Sequence, residues 1–277
     1  MSLSVNTNLS AIEAYNNLNS TNTAMQTTIN QLSSGLKIQT AANNAAGYVI
    51  SQGLQTQANG LGVAINNGQN AVSVLQIATG AMNQQISILQ NMNQLATQAA
   101  NAGANSATSL AADQQQFAAL QNQLDQIANS TQFGSTQLLN GSYTGQSFQI
   151  GAYASSVDQV VVSIGNLGSS ALGVSSTAAS IGTASAAFSA MALVQSAIGM
   201  VASAEASVGA AQNQIQAIIA NDTVGQQNVT AANSTLVDTN MAKAMTTFSS
   251  QQVLMQAGVG MLSQAQALPQ LILKLIP

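Results

Sequence analysis

Apolar residues recur along this chain in alternating steps of three and four. Near the N-terminus Ala11, Tyr15, Leu18, Asn22, Met25, Ile29, Leu32 and Leu36 follow that step, and seven of the eight are apolar. This is the stripe of a helix that packs against other helices, and Gly35 supplies a natural terminator. A longer pattern places Ala58, Ile65, Val72, Thr79, Ile86 and Asn93 at one heptad position and Leu61, Gly68, Leu75, Met82, Leu89 and Ala96 at another. Nine of those twelve are apolar, which predicts a coiled-coil-like rod over residues 44–100. Phe117, Leu120, Leu124 and Ile127 resume the spacing after a Gly/Asn/Ser-rich break at 101–109, so the rod folds back as a helical hairpin.

The texture changes between residues 134 and 168. Gly and Asn turns, alternation at Phe148 and Ile150, and Val160, Val162 and Ile164 two apart mark a β segment of two hairpins. The Ser-, Gly-, Ala- and Thr-rich stretch 168–183 reads as a loop. Helix resumes with Val194, Val201, Val208 and Ile215 seven apart. A final helix carries Met241, Met245, Phe248, Gln252, Met255, Val259 and Leu262 and is expected to stop near Pro269. The expected fold is mainly α, with long coiled-coil-like helical rods, a small β-hairpin segment and an amphipathic helix at each end. Nothing adjacent in sequence covers either terminal stripe. An isolated helix is marginal in water without packing, so the two stripes must cover each other or wait for neighbouring copies and fold on assembly.

Composition changes the picture of how these helices meet water. Lys and Arg together number 3, Asp and Glu 7, and only 4 % of the 277 residues are charged, against roughly 25 % in ordinary soluble domains. Asn, Gln, Ser and Thr stand where helices usually carry Glu, Lys and Arg. Hydrophobic residues make up 46 %, but aromatics only 3 %, and much of the remainder is Ala. Such small side chains bury little area each and suit long, closely packed helices better than a compact globule.

The same composition excludes several functions. Net charge is −4 and Lys37, Lys243 and Lys274 are too scattered to form a basic patch, so nucleic acid is not a partner. The absence of Cys and His removes disulfides, thiol chemistry, zinc sites and the usual nucleophile–base partners. Glu13, Asp113, Asp125, Asp158, Glu205, Asp222 and Asp238 include no pair three or four residues apart, so neither catalysis nor a cofactor or metal is expected. The opening MSLSVNTNLS has no basic start and no apolar run, so no cleaved signal peptide is expected. No uninterrupted apolar run of 18 exists either, and membrane insertion is not expected.

Smaller motifs have plain explanations. Glu205, on the Met191, Ile198 and Ile219 seam, reads as a partly solvated carboxylate or a local hydrogen-bond partner rather than a register device. Gly60-Leu61-Gly62 lacks the third glycine and the strand of a phosphate loop and reads as close helix packing. The Asn-x-Ser/Thr triplets at Asn19, Asn129, Asn228 and Asn233 arise from composition. Met241, Met245 and Met255 serve as core and as an adaptable binding face.

Four stretches carry a family resemblance. LSSGLKIQTAANNAAGYVIS resembles the flagellin N-terminal signature, SVLQIATGAMNQQISILQNMNQLATQAANAG the rod helix after it, and LLNGSYTGQSFQIGA the β hairpin beyond. NSTLVDTNMAKAMTTFSSQQVLMQAGVGMLSQAQALPQLILKLI is similar to the flagellin C-terminus. The resemblance implies a short flagellin without outer variable domains, a subunit that polymerises into the extracellular bacterial flagellar filament used for motility. It divides the chain into an N-terminal inner-core helix (1–43), rod helices plus β knob (44–177), a C-terminal rod helix (178–223) and a C-terminal inner-core helix (224–277). Self-assembly then falls to Tyr15, Leu18, Met25, Ile29, Leu32, Leu36, Met241, Met245, Phe248, Met255, Val259 and Leu262. Rod packing falls to Ile65, Val72, Leu75, Met82, Ile86, Leu89, Leu120, Leu124, Ile127, Val194, Val201, Val208 and Ile215. Implied partners are copies of the chain, an export chaperone, a filament cap and hook-junction proteins. The competing readings are a hook-filament junction protein, which caps rather than propagates, and a secreted adhesive or binding module.

Departures from the family are informative. Asn43 and Asn44 stand where acidic residues are common, and Gln52 and Gly53 where a Glu-Arg pair is usual. Leu89, Asn91, Asn93 and Gln94 are equivalent to the patch sensed by the innate immune receptor for flagellin, and its charges are gone. Amides and hydroxyls hydrogen-bond alike in acid and at neutrality, whereas ion pairs do not. A filament held by them is expected to tolerate acidic surroundings.

Overall fold

The computed structural model describes residues 7–103 and 105–273. Five helices dominate: α1 (Leu9–Ser34), α2 (Ala45–Ala99), α3 (Ala107–Ser130), α4 (Ala184–Val237) and α5 (Met241–Leu273). Between α3 and α4 lie two antiparallel hairpins, β1 (Gln132–Phe133) with β2 (Thr136–Gln137) and β3 (Gln146–Gln149) with β4 (Gln159–Val162). The chain forms two compact units. One takes the chain up to Thr56 and from Val229 onward; the other is Gln57–Asn228. Helices α2 and α4 contribute to both.

The Gln57–Asn228 unit holds the larger core. Its α2 face buries Leu61, Gly68, Leu75, Met82, Leu89 and Ala96, one of the two predicted heptad positions. The second buried line is Ala64, Ala71, Ala78, Gln85, Met92 and Ala99. Sequence spacing pointed instead to Ile65, Val72 and Ile86, which sit half-buried on the flank. Alanine at the contact lets helices approach closely, and the bulkier β-branched residues close the seam from the side. Gly68 marks the closest approach: a Cβ there would come within 2.7 Å of Ile219 Cγ1 on α4. Leu124 on α3 and Val194, Val201, Val208 and Ile215 on α4 are buried, while Leu120 and Ile127 are half-buried.

The 168–183 stretch has no regular element, yet Leu172, Val174 and Ile181 are fully buried core residues. Carboxamides on α3 hold it there. Buried Gln121 donates from Nε2 to the carbonyls of Val174 (2.8 Å) and Ala179 (3.0 Å), and Gln114 Oε1 accepts from Ile181 N and Ser180 Oγ. Asp125 accepts from Ser169 N and Oγ at 2.7 and 2.8 Å. Gln121→Leu keeps the volume but strands two buried acceptors. The substitution also removes Gln121 Oε1, itself buried without a partner, so at about 1–3 kcal/mol for each unsatisfied group urea unfolding should show a net loss on the order of 1–3 kcal/mol.

Helix α4 runs unbroken to Val237, across the expected segment boundary at 223. One helix end differs from expectation. Helix α5 does not stop at Pro269 but continues to Leu273. Helix α4 also contains an 18-residue window of mean hydropathy 1.5, long and apolar enough by composition to cross a membrane. Exposed Ala202, Ala206 and Ala210 belong to this helix, as does Glu205, whose Oε1 accepts from Asn83 Nδ2 of α2 at 2.9 Å. Its Val194, Val201, Val208 and Ile215 line packs into the core, while only 28 % of that window is buried.

Candidate functional site: the paired terminal helices

Helix α1 begins where Asn8 accepts a hydrogen bond from Ala11 N in Oδ1, at 3.1 Å, the usual N-cap geometry. It ends at Gly35, whose φ of 74° is open to glycine at little cost and whose N–H reaches Gln31 O at 2.9 Å. Between these caps α1 carries almost no charge. Thr21, Thr23, Thr27, Thr28 and Ser34 instead donate their hydroxyls to carbonyls four residues back. These hydroxyls are thereby satisfied within the helix.

Helix α1 packs against α5, and the pair is tied at both ends. At one end Lys37 N donates to Val237 O (2.6 Å) and Thr239 N to Gly35 O (2.8 Å), around an antiparallel bridge between Leu36 and Asp238. At the other, Asn8 Nδ2 donates to Ala265 O at 2.7 Å. Asn240 caps α5 by accepting from Lys243 N. The two helices therefore run antiparallel, with Leu9–Ser34 alongside residues 241–265.

The inward faces step strictly by three and four. On α1 they are Ala11, Ala14, Leu18, Thr21, Met25, Thr28 and Leu32; on α5 they are Ala244, Phe248, Gln251, Met255, Gly258, Leu262 and Ala265. A Cβ at Gly258 would lie 3.2 Å from Leu18 Cδ1, so the helices touch there. Of the twelve residues expected to drive self-assembly, Leu18, Met25, Leu32, Phe248, Met255 and Leu262 lie within this pair. The other six point outward: Tyr15 is 60 % exposed, Met245 51 % and Val259 54 %, with Ile29, Leu36 and Met241 also exposed. Val253, Leu254 and Met261 are also exposed, on other sides of α5, and sequence spacing had not singled them out. The stripe that looked uncovered is thus half covered by its opposite number, and the remaining apolar residues stay exposed outside the seam.

The α2 positions equivalent to the receptor patch divide differently. Leu89 is buried in the core, Asn91 and Gln94 are exposed, and Asn93 is half-buried. Asn93, Gln94, Thr97, Gln98, Asn101 and Asn105 line a groove of about 540 Å³ that contains no charged side chain. Elsewhere, burial raises the Asp222 carboxyl above its ordinary pKa, and the nearby Asp158 carboxylate pushes it the same way. Among the described residues no group of three or more His, Cys, Asp or Glu could hold a metal ion.

Capped, nearly uncharged terminal helices paired with each other, with apolar residues exposed outside their seam, define a class of helical proteins whose two chain ends pack together. The family profile for the bacterial flagellin N-terminal helical region matches residues 5–144, and that for the C-terminal helical region matches residues 191–276. The chain is 35 % identical to the flagellin of Bacillus subtilis, covering 98 % of this chain and 99 % of that protein. It is 47 % identical over 152 residues to polar flagellin B/D of Vibrio parahaemolyticus, but spans only 40 % of that protein's length. The crystal structure of Bacillus cereus flagellin shares the fold, with a TM-score of 0.51 at 23 % identity over 57 % of this chain and 88 % of that one. The chain belongs to the bacterial flagellin family.

Proposed function

We propose that this chain is a structural subunit that polymerises into the extracellular flagellar filament, the rigid propeller of bacterial motility. The observation that carries this reading is the set of exposed apolar residues outside the seam, Tyr15 and Ile29 of α1 and Met241, Met245 and Val259 of α5, on a helix pair already tied at both ends. Such a surface on a soluble chain marks an association site. Contacts between different faces repeat without closing and give an open helical polymer. The helices of segments 1–43 and 224–277 form the inner layer, and the rod and knob segments 44–177 and 178–223 the layer outside it. An export chaperone, a filament cap and hook-junction proteins are the further partners. Its role is structural rather than enzymatic.

The test is electron microscopy of the purified chain with and without seeding by filament fragments. Long filaments are expected to grow from the seeds. A chain that stays monomeric, or only caps the seeds, overturns the reading in favour of a junction protein. A second expectation concerns the patch at Leu89, Asn91, Asn93 and Gln94. Because its charges are replaced by amides, a cell reporter for the innate immune receptor should respond only at doses well above those of an ordinary charged flagellin.

A further inference from the structure

Pro269 should end α5, because proline has no N–H to close the i→i−4 bond and its ring crowds the preceding turn. The helix nevertheless continues to Leu273. The carbonyl that Pro269 leaves without its intrahelical donor is that of Ala265, four residues earlier. That same carbonyl accepts the side-chain N–H of Asn8, at 2.7 Å, from 257 residues away in sequence. Ala265 is 8 % exposed and the bond is part-buried, so water competes for the carbonyl less than at an open surface. An unpaired carbonyl at such a place is destabilising.

Asn8 uses both ends of its carboxamide. Oδ1 caps α1 by accepting from Ala11 N, while Nδ2 supplies the donor that α5 lacks. No other residue type serves both roles as well. Asp and Ser cap as efficiently as Asn, but an ionised Asp donates nothing and Ser is shorter by the amide group.

We propose that Asn8 is the positioning residue of the terminal unit and that the helical turn beyond Pro269 is conditional on it. When α1 is docked, the Asn8 donor completes the Ala265 site and α5 runs on to Leu273. When α1 is undocked, the Ala265 carbonyl is unpaired and α5 ends near the proline, as sequence rules predict. The start of α1 and the end of α5 therefore become ordered together, and the apolar residues exposed outside the seam are presented in one fixed register. This rests on the filament reading for its consequence in assembly, but the clasp itself belongs to the single chain.

Two full-length variants test it. Asn8→Asp keeps the cap and removes the donor at neutral pH; Pro269→Ala restores the backbone donor and makes Asn8 dispensable. Hydrogen exchange on the soluble chain should show Asn8→Asp opening both the first turn of α1 and residues 262–273, with exchange faster by about tenfold, the factor that 1.4 kcal/mol corresponds to. In the double variant, residues 262–273 should return to the wild-type rate. Seeded polymerisation should follow the same order, with a raised critical concentration for Asn8→Asp and recovery in the double variant. If Asn8→Asp exchanges like the wild type in 262–273, or if Pro269→Ala fails to rescue it, the proposal is overturned. A wild-type chain that never polymerises would count against the filament reading alone, since exchange on the soluble chain decides the clasp.

Discussion

A single glutamate at Met245 or Val259 should abolish filament growth and leave the soluble chain as helical as before. Both side chains are about half exposed and lie on the outward face of α5. Substitutions at such positions usually change monomer stability by less than about 0.5 kcal/mol. In a polymer that buries this face the same carboxylate would be taken from water without a partner, which costs several kcal/mol per ion. The contact recurs at every subunit added, so the critical concentration should rise by at least about a hundredfold, the equivalent of about 2.7 kcal/mol. Sedimentation and electron microscopy measure growth, and circular dichroism verifies the helix. Phe248→Ala is the contrasting variant: Phe248 faces α1 and is half-buried, so truncation should lower the stability of the soluble chain itself, by less than the roughly 3–5 kcal/mol of a fully buried Phe. Normal filaments from Met245→Glu and Val259→Glu at wild-type concentrations would show that the outward stripe stays wet.

Much of this arrangement is legible in the sequence where local chemistry decides. Gly35 ends α1 because its left-handed φ of 74° needs no Cβ, and the glycine turns at Gly134, Gly141 and Gly145, all with positive φ, bound the two hairpins. The apolar stripes on α1 and α5 were visible, but not which of their residues the seam buries and which it leaves exposed. Periodicity weights bulky residues, and half of the inward seam is Ala11, Ala14, Thr21, Thr28, Ala244, Gly258 and Ala265, which look like filler in a chain this rich in small residues. The same bias moved the expected α2 seam to Ile65, Val72 and Ile86 and away from Ala64, Ala71 and Ala78. Pro269 failed as a stop signal for a different reason. A proline rule describes the isolated helix, and the compensating donor comes from Asn8 at the opposite end of the chain. Long-range hydrogen bonds of that kind leave no local pattern. The anchoring of residues 168–183 by Gln121 and Gln114 was hidden in the same way.

Acid is the condition under which these amide contacts should matter most. Bonds between elements are carried largely by carboxamides donating to backbone carbonyls: Asn8 to Ala265, Asn67 to Gln149, Gln85 to Leu167, Gln121 to Val174 and Ala179, and Gln226 to Ala58. None of these groups titrates between pH 2 and pH 8 on ordinary side-chain values, roughly. The Asp222 carboxyl moves in the direction that favours acid. Burial first, and the Asp158 carboxylate second, raise Asp222 above its usual value. A raised folded-state pKa means stability that is fully present below the unfolded pKa and lost as pH rises through the folded one, so acidification relieves Asp222 rather than straining it. Filaments should accordingly remain intact by electron microscopy at about pH 2–3, below the range where carboxylates titrate. Asp222→Asn should raise the melting temperature of the soluble chain at pH 7 and leave it unchanged at pH 3. Depolymerisation near pH 4 would mean that ionised carboxylates hold the subunits together after all, and the replacement of charge by amide would then need an explanation other than resistance to acid.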